Sequence, residues 1–186
     1  ADGDTNDLKL GDCAEDSADL AEYYGSDPDV SSGDIVAIKD GAYQLESERS
    51  GLTSKAFVSK STLPYQSNTI GIVSTNPYPD ILSKGVFSEQ EHPVPIALVG
   101  RVPLKISTEN GVIKAGDPVT SGTLAGFAMK AVQSGPIVAK ALQDFPSLQQ
   151  SAGENRIPCP PEARPDILCA TVMAFVNISW YEKPLT

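Results

Sequence analysis

Two carboxylates near the start of the chain, Asp19 and Glu22, are the best candidates for acid–base chemistry in this sequence. Histidine is the usual proton carrier near neutral pH. The only histidine, His92, stands between Glu91 and Pro93 in a proline-rich connection, where a solvated side chain is expected. The chain has no phosphate-loop, dinucleotide-binding, zinc-protease or nucleophile-elbow motif. Paired carboxylates are therefore the remaining route to catalysis, and the alternative for Glu22 is a capping or surface role in a short turn.

The first residues of the chain contain a weak calcium-loop pattern. Asp2, Asp4 and Asn6 alternate as the oxygen ligands of such a loop do. The required glycine is replaced by Asp7, and the closing glutamate position is Cys13, so a solvated acidic tail is the alternative. A zinc site is not indicated, because the chain has one histidine and no CxxC pair. We expect no cofactor, with calcium as the one candidate cation.

Cys159 and Cys169 bracket the proline-rich segment PCPPEARPDILC, which is short enough for a disulfide to close. A disulfide favours an oxidising compartment, hence an extracellular or cell-surface location. Cys13 is then left for an intermolecular bond, an exchange of partners or a buried thiol. The alternative is that all three cysteines are reduced and serve as small apolar residues.

Composition limits the classes of function. A chain of 186 residues with 40% hydrophobic residues can form one globular domain with a real core. The formal net charge of −10 argues against binding nucleic acid or anionic membranes, since both need Lys and Arg. No apolar run approaches the roughly 20 residues needed to cross a bilayer, so we expect no membrane insertion. The N-terminus is unlike a signal peptide, so a targeting segment would have been removed or would lie upstream.

The chain divides into an acidic arm at residues 1–19 and a β domain at residues 20–186, with a proline-rich insertion loop at 143–168. In the β domain, many of the 15 Gly and 15 Pro separate short runs rich in Val, Ile and Thr. The one modest helix candidate is 17–24. Candidate strands are 35–39, 42–45, 56–59, 69–74, 95–100, 102–107, 111–114, 118–120, 126–131, 137–142 and 170–180.

Two dipeptides predict tight hairpin turns, Asn110-Gly111 and Asp40-Gly41, because both supply the positive φ angles of a type I′ turn. A faint internal repeat is also present. The first copy contains SSGDIVAIKDG and IGIVS, and the second contains KAGDPVTSG, AGFAMKAV and GPIVAKAL. The pattern predicts a duplicated hairpin unit packed into a compact all-β barrel or clip-like fold, and chance similarity among turn residues is the alternative.

An ordered series of motifs from residue 19 to residue 181 resembles a known family. The motifs are DLAEYY, SSGDIVAI, IGIVST, IALVGRVPLKIS, NGVIKAGDPVTSG, GFAMKA, IVAKAL and VNISWY. Together they are similar to the β domain at the C-terminal ends of phage appendages and bacterial surface fibres. In particular, they resemble the intramolecular-chaperone autoproteolytic domain of phage pre-neck appendage proteins, a glutamic-type peptidase.

The resemblance implies a trimeric β domain that helps a preceding fibre to assemble and then cuts itself free near Ala18-Asp19. It places the cutting chemistry on Asp19 and Glu22. One carboxylate would activate a water molecule or the neighbouring peptide, and the other, with a raised pKa, would protonate the leaving nitrogen. The chain runs unbroken through this point. We therefore expect a structural or assembly module of a fibre, filament or adhesin first, and self-cleavage second.

A glycan- or receptor-binding head is the third expectation, since aromatic faces offer a large and rigid contact area. Aromatics are only 6% of the chain, so most are expected in the core or at subunit contacts. The expected partners are copies of the same chain, as a trimer, or neighbouring subunits of a filament. The aromatic candidates for a glycan or protein contact are Tyr23, Tyr24, Tyr65, Tyr78, Phe87 and Trp180.

Overall fold

The computed structural model describes residues 19–39, 44–48, 51–75, 77, 83, 86–146 and 155–184. Within these ranges the chain forms eleven strands and a single turn of 3-10 helix at Glu89–Glu91, which confirms the all-β prediction. The strands are β1 (Asp19–Ser26), β2 (Ile35–Ile38), β3 (Gln44–Glu48), β4 (Gly51–Lys55), β5 (Phe57–Lys60), β6 (Thr69–Val73), β7 (Val94–Ser107), β8 (Pro118–Ser121), β9 (Ala128–Lys130), β10 (Gly135–Ala141) and β11 (Cys169–Tyr181).

Nine of these strands form one mixed sheet, in the order β1-β5-β2-β6-β7-β11-β10-β8-β9, with further pairings of β1 to β7 and of β7 to β9. The further pairings close the sheet into two rings. The first ring contains β1, β5, β2, β6 and the first half of β7. The second ring contains the second half of β7, then β11, β10, β8 and β9. β3 and β4 pair only with each other.

The two rings repeat the same pairing pattern. Each has one parallel pair, β1 with β5 in the first ring and β7 with β9 in the second, and the other pairs are antiparallel. The register of equivalent strand pairs also agrees. Lys60 on β5 lies opposite Val36 on β2 in the first ring, and Lys130 on β9 lies opposite Val119 on β8 in the second. The first half of β7 therefore corresponds to β11, and its second half corresponds to β1.

The Gly-Asp turns that precede β2 and β8 are equivalent in detail. Gly33 and Gly116 have φ angles of 82° and 90°, which L side chains rarely adopt. The Asp34 carboxylate accepts a hydrogen bond from the Ser31 N–H at 2.9 Å, and the Asp117 carboxylate accepts one from the N–H three residues earlier at 2.7 Å. The internal repeat predicted from SSGDIVAIKDG and KAGDPVTSG is therefore confirmed as a duplicated strand unit.

The largest core cluster contains side chains from both rings, among them Ile35 and Ile72 of the first and Leu104 and Val138 of the second. Full burial of one such side chain contributes about 1.5–3 kcal/mol to folding. A second cluster fills the first ring with Val30, Val36, Val58, Val73 and Ile96. A third cluster contains Leu124, Phe127, Ile167 and Cys169, and the partly buried Ile157, Cys159 and Ala163 pack against it.

The helix predicted at 17–24 is wrong over its described part, because Asp19–Ser26 is a strand. Helix propensity in so short a segment is a weak preference, and pairing with β5 and β7 outweighs it. The hairpin predicted at Asn110-Gly111 is also wrong. Gly111 has a φ of 91° and its N–H donates to the Thr108 carbonyl at 2.9 Å, so a turn is present. However, β7 already pairs with β11 and β9, and 111–114 contributes only an isolated bridge from Ile113 to Phe145.

The remaining differences between the predicted strands and those in the structure are smaller. The strands predicted at 95–100 and 102–107 form the single strand β7, with a register shift where it faces Leu20 and Ala21. Strand β4 was not predicted. The segment 143–168 lies between the end of β10 and the start of β11. The Asp40-Gly41 turn, the calcium candidates Asp2, Asp4 and Asn6, and the cysteine at position 13 lie outside the described residues.

Candidate functional site

Asp19, the first residue of β1, is buried next to the middle of β7. Its partner in the strand register is Gly100, and the residue is only 8% exposed. Neither Asp19 Oδ2 nor Ser74 Oγ has a partner within hydrogen-bond distance among the described residues. Burial raises the pKa of the Asp19 carboxyl, and the nearby Ser74 hydroxyl opposes this shift in part. Asp19 is thus a buried carboxyl with an unused oxygen.

Glu22 lies three residues further along β1, and both of its carboxylate oxygens are occupied. Oε2 accepts a hydrogen bond from the Tyr24 hydroxyl at 3.1 Å, and Oε1 accepts one from the Ser83 hydroxyl at 2.9 Å. Burial, followed by the charge and the hydrogen bond of Glu22, raises the pKa of Tyr24 to about 12. Tyr24 packs against the hydrophobic cluster inside the first ring.

Asp19 and Glu22 do not share a hydrogen bond in this structure. Side chains three positions apart on a strand point to opposite faces of the sheet, so β1 directs the two carboxylates to different sides. A direct proton exchange between them would need a change in this arrangement. Their catalytic role stays a prediction.

An exposed apolar surface lies where the two rings meet. Leu20 is opposite Val99, Leu98 precedes Val99 on β7, and Phe175 is opposite Arg101 on the neighbouring strand β11. The four apolar side chains are between 36% and 48% exposed. We call Leu20, Leu98, Val99, Arg101 and Phe175 the seam surface. Sequence reasoning missed it, because the run IALVGRV is typical of a buried strand.

The predicted disulfide between Cys159 and Cys169 is present, with an S–S distance of 2.07 Å. It ties the segment before β11 to the first residue of that strand. The closed segment contains two tight turns, in which Ala163 N–H donates to the Pro160 carbonyl at 2.9 Å and Ile167 N–H donates to the Arg164 carbonyl at 3.0 Å. The disulfide thus holds a folded loop over the third hydrophobic cluster.

The remaining candidates are dispersed. His92 is exposed, and it accepts a hydrogen bond at its carbonyl from Ser26 Oγ at 2.7 Å. Phe87 packs edge-on against Phe57 with ring centroids 5.8 Å apart. Trp180 is exposed near the end of β11, and Tyr78 lies outside the described residues.

In the described part of the chain, no three His, Cys, Asp or Glu side chains are grouped as metal ligands would be. Nor does that part contain a helix of the length and hydrophobicity that a membrane span requires. Comparison with models of known protein families and with curated proteins found no match to this chain.

Proposed function

We propose that this chain is a structural module of a larger extracellular assembly, in which copies of the chain associate through the seam surface. The observation that carries the proposal is the exposure of four large apolar side chains on adjacent strands. Exposed apolar side chains grouped on neighbouring strands of a soluble protein are a candidate contact site, whereas a single exposed apolar side chain is ordinary. The Cys159–Cys169 disulfide supports the extracellular part of the proposal.

Charge supports a second copy of the chain as the partner. The chain has a formal net charge of −10, so copies repel each other over most of their surface. At the seam, however, the exposed Arg101 is opposite Phe175, and Lys140 is opposite Phe175 on its other side. Two cations next to the apolar side chains make this part of the surface less negative than the chain as a whole. We propose a trimer as the assembly.

The test uses a matched pair of substitutions. Val99 is 48% exposed within the seam surface, and Val112 is 50% exposed away from it. Sedimentation equilibrium of the full chain at micromolar concentration is expected to give a trimer for the wild type and for Val112→Asp, and a monomer for Val99→Asp. A monomeric wild type, or equal effects of the two substitutions, would contradict the proposal. Circular dichroism checks that both variants remain folded.

Self-cleavage beside Asp19 is a second candidate, supported by the buried Asp19 carboxyl with its raised pKa and unpartnered oxygen. Such a carboxyl can keep its proton closer to neutral pH and can donate it to a leaving amide nitrogen. Water would add to the carbonyl of Ala18, the peptide bond to Asp19 would break, and a new carboxyl and a new amine would form. Because Glu22 lies on the other face of β1, it could assist this hydrolysis only after β1 has rearranged.

Intact mass after refolding tests this candidate. Self-cleavage predicts a wild-type product that begins at or close to Asp19, and its absence in Asp19→Asn and in Glu22→Ala. Asp166→Asn, a change to an exposed carboxyl, is the control and should cleave like the wild type. An unchanged wild-type mass over days at several pH values would exclude self-cleavage of this chain, and would leave the trimer proposal untouched.

A further inference from the structure

A cavity of about 550 Å³ opens among the loops at one end of the second ring. Its apolar part is formed by Leu124, Met129 and Ile167, of which Leu124 and Ile167 belong to the cluster held below the disulfide loop. The volume lies within the usual range of about 300–1,000 Å³ for small-ligand sites. Neither the seam-surface residues nor Asp19 and Glu22 line it.

Tyr65 forms one wall of the cavity and is held rigidly. Its hydroxyl oxygen accepts hydrogen bonds from the N–H groups of Val132 at 2.8 Å and Gln133 at 3.2 Å. Its ring packs on Gly135 so closely that a Cβ atom there would lie 2.7 Å from the ring. The residue has a φ of 52°, which costs a bulky side chain about 1–3 kcal/mol and persists where the surroundings enforce it. Among the described residues, its hydroxyl proton has no acceptor.

Glu109 and Asn110 form a second, polar wall. The Glu109 carboxylate accepts hydrogen bonds from the Thr123 N–H at 3.0 Å and from the Thr123 hydroxyl. Gly122 permits this approach, since a Cβ atom there would collide with the carboxylate. The Asn110 amide nitrogen donates to the Lys130 carbonyl at 3.0 Å, and its amide oxygen has no donor in the described part of the chain. Both side chains are therefore fixed in position, with acceptor capacity unused.

Gln133, Glu162 and Arg164 complete the rim, the last two carried by the disulfide loop. The titratable groups of the cavity are thus two carboxylates and one guanidinium, besides the Tyr65 hydroxyl, on a chain of net charge −10. This balance disfavours an anionic ligand. The number of polar groups disfavours a purely apolar one, because their desolvation would be uncompensated.

We propose that this cavity binds a neutral saccharide. A sugar ring presents C–H groups on a face and hydroxyls around its edge. The face suits the fixed Tyr65 ring and the apolar wall, and the hydroxyls suit the fixed acceptors of Glu109 and Asn110 and the amide of Gln133. Because these groups are already positioned, little side-chain ordering opposes binding. A peptide with a lysine or arginine side chain is the competing ligand class, directed at Glu109 and Glu162.

The test is an NMR titration of the full, isotope-labelled chain with lactose, cellobiose and chitobiose, chosen after a screen on an array of neutral and sialylated glycans. The proposal predicts saturable shifts centred on the amides of Tyr65, Thr123 and Gln133 for at least one neutral sugar, and no preference for sialylated forms. Gln133→Ala and Glu162→Ala should each weaken binding about threefold to tenfold, the loss expected for one hydrogen bond.

Lys114→Ala is the control, since this exposed residue lies between β7 and β8, outside the seam surface, and does not line the cavity. It should leave the sugar affinity unchanged. Absence of saturable shifts with every neutral sugar, shifts centred away from the cavity, or stronger binding of a lysine-containing peptide would overturn the proposal.

Discussion

The carboxylate of Asp34 and the ammonium group of Lys105 form an ion pair at 2.7 Å that joins the two rings. Asp34 precedes β2 in the first ring, and Lys105 lies in the half of β7 that belongs to the second. Lys105 Nζ also donates to Ser31 Oγ at 2.7 Å, and its backbone N–H donates to the Gly33 carbonyl at 3.0 Å. The Asp34 side chain is 1% exposed and the Lys105 side chain 20%, so the carboxylate end of this link is shielded from solvent. Lys60 Nζ lies 3.8 Å from the other oxygen of the same carboxylate.

Replacing Asp34 by Ala is expected to lower the free energy of unfolding by about 3–5 kcal/mol, because the change leaves the Lys105 ammonium group without its buried partner. Asp117, its equivalent in the second ring, is the matched control. Its side chain is 21% exposed and pairs with Lys130 at 2.7 Å, so Asp117→Ala should cost only about 1 kcal/mol. Urea denaturation measures both free energies of unfolding. Equal losses would show that the buried Asp34–Lys105 pair stabilises the fold no more than the Asp117–Lys130 pair does.

The phenol of Tyr24 is expected to titrate near pH 12, where burial and the charge of Glu22 place its pKa. The folded state therefore holds this proton more tightly than the unfolded state, whose tyrosine pKa is 10.0. Stability contributed by this group is complete below pH 10 and is lost as the pH rises towards about 12.

Ultraviolet absorbance of tyrosinate should show the ionisation of Tyr24 as a step at high pH. Tyr24→Phe should remove this step, and Glu22→Gln should move it to lower pH. Ser83→Ala, which keeps the charge of Glu22 and its bond to Tyr24, should move it less. A titration curve that Glu22→Gln leaves unchanged would contradict the assignment.

Asp19→Asn is expected to stabilise the protein relative to the wild type as the pH rises. Burial raises the pKa of Asp19 in the folded state above its ordinary value of 3.8. The folded state thus binds the proton more tightly, and wild-type stability falls as the pH rises through and above 3.8. Asparagine does not ionise. The stability difference between variant and wild type, measured by denaturant unfolding from about pH 3 to about pH 7, should increase with pH; a flat or decreasing difference would refute the effect of burial.

Removal of the disulfide by combining Cys159→Ala with Cys169→Ala should destabilise the chain by about 2–3 kcal/mol, as expected for a closed loop of this length. The loss has two physical sources, since the buried Cys169 side chain also packs in the third hydrophobic cluster. Thermal unfolding with and without reductant measures it. Reductant should destabilise the wild type and leave the double variant unchanged; an insensitive wild type would show that the bond contributes nothing.

Much of the fold could be predicted from local signals. Gly-Asp turns followed by branched aliphatic residues marked β2 and β8, and their similarity revealed the duplication. The segment DLAEYY could not be assigned in this way. Alanine and glutamate favour helix locally, and only the distant partners β5 and β7 make this segment a strand.

The candidate sites were less accessible to sequence reasoning. Asp19, Glu22 and the disulfide cysteines stood out by residue type and spacing. The cavity did not, because Tyr65, Glu109 and Glu162 come from three loops that are far apart in the sequence. The positive φ of Tyr65 could not be predicted from the sequence, because tyrosine rarely adopts that backbone conformation.

Strand β7 ends the first copy of the repeat and begins the second, so the duplication yields nine sheet strands where two separate copies would have ten. A fragment ending at Ser107 would contain every strand of the first ring, whereas the remainder would lack the strand that opens the second. The two halves are therefore not interchangeable modules. They form one unit, because a substitution that disrupts β7 removes a strand from both rings.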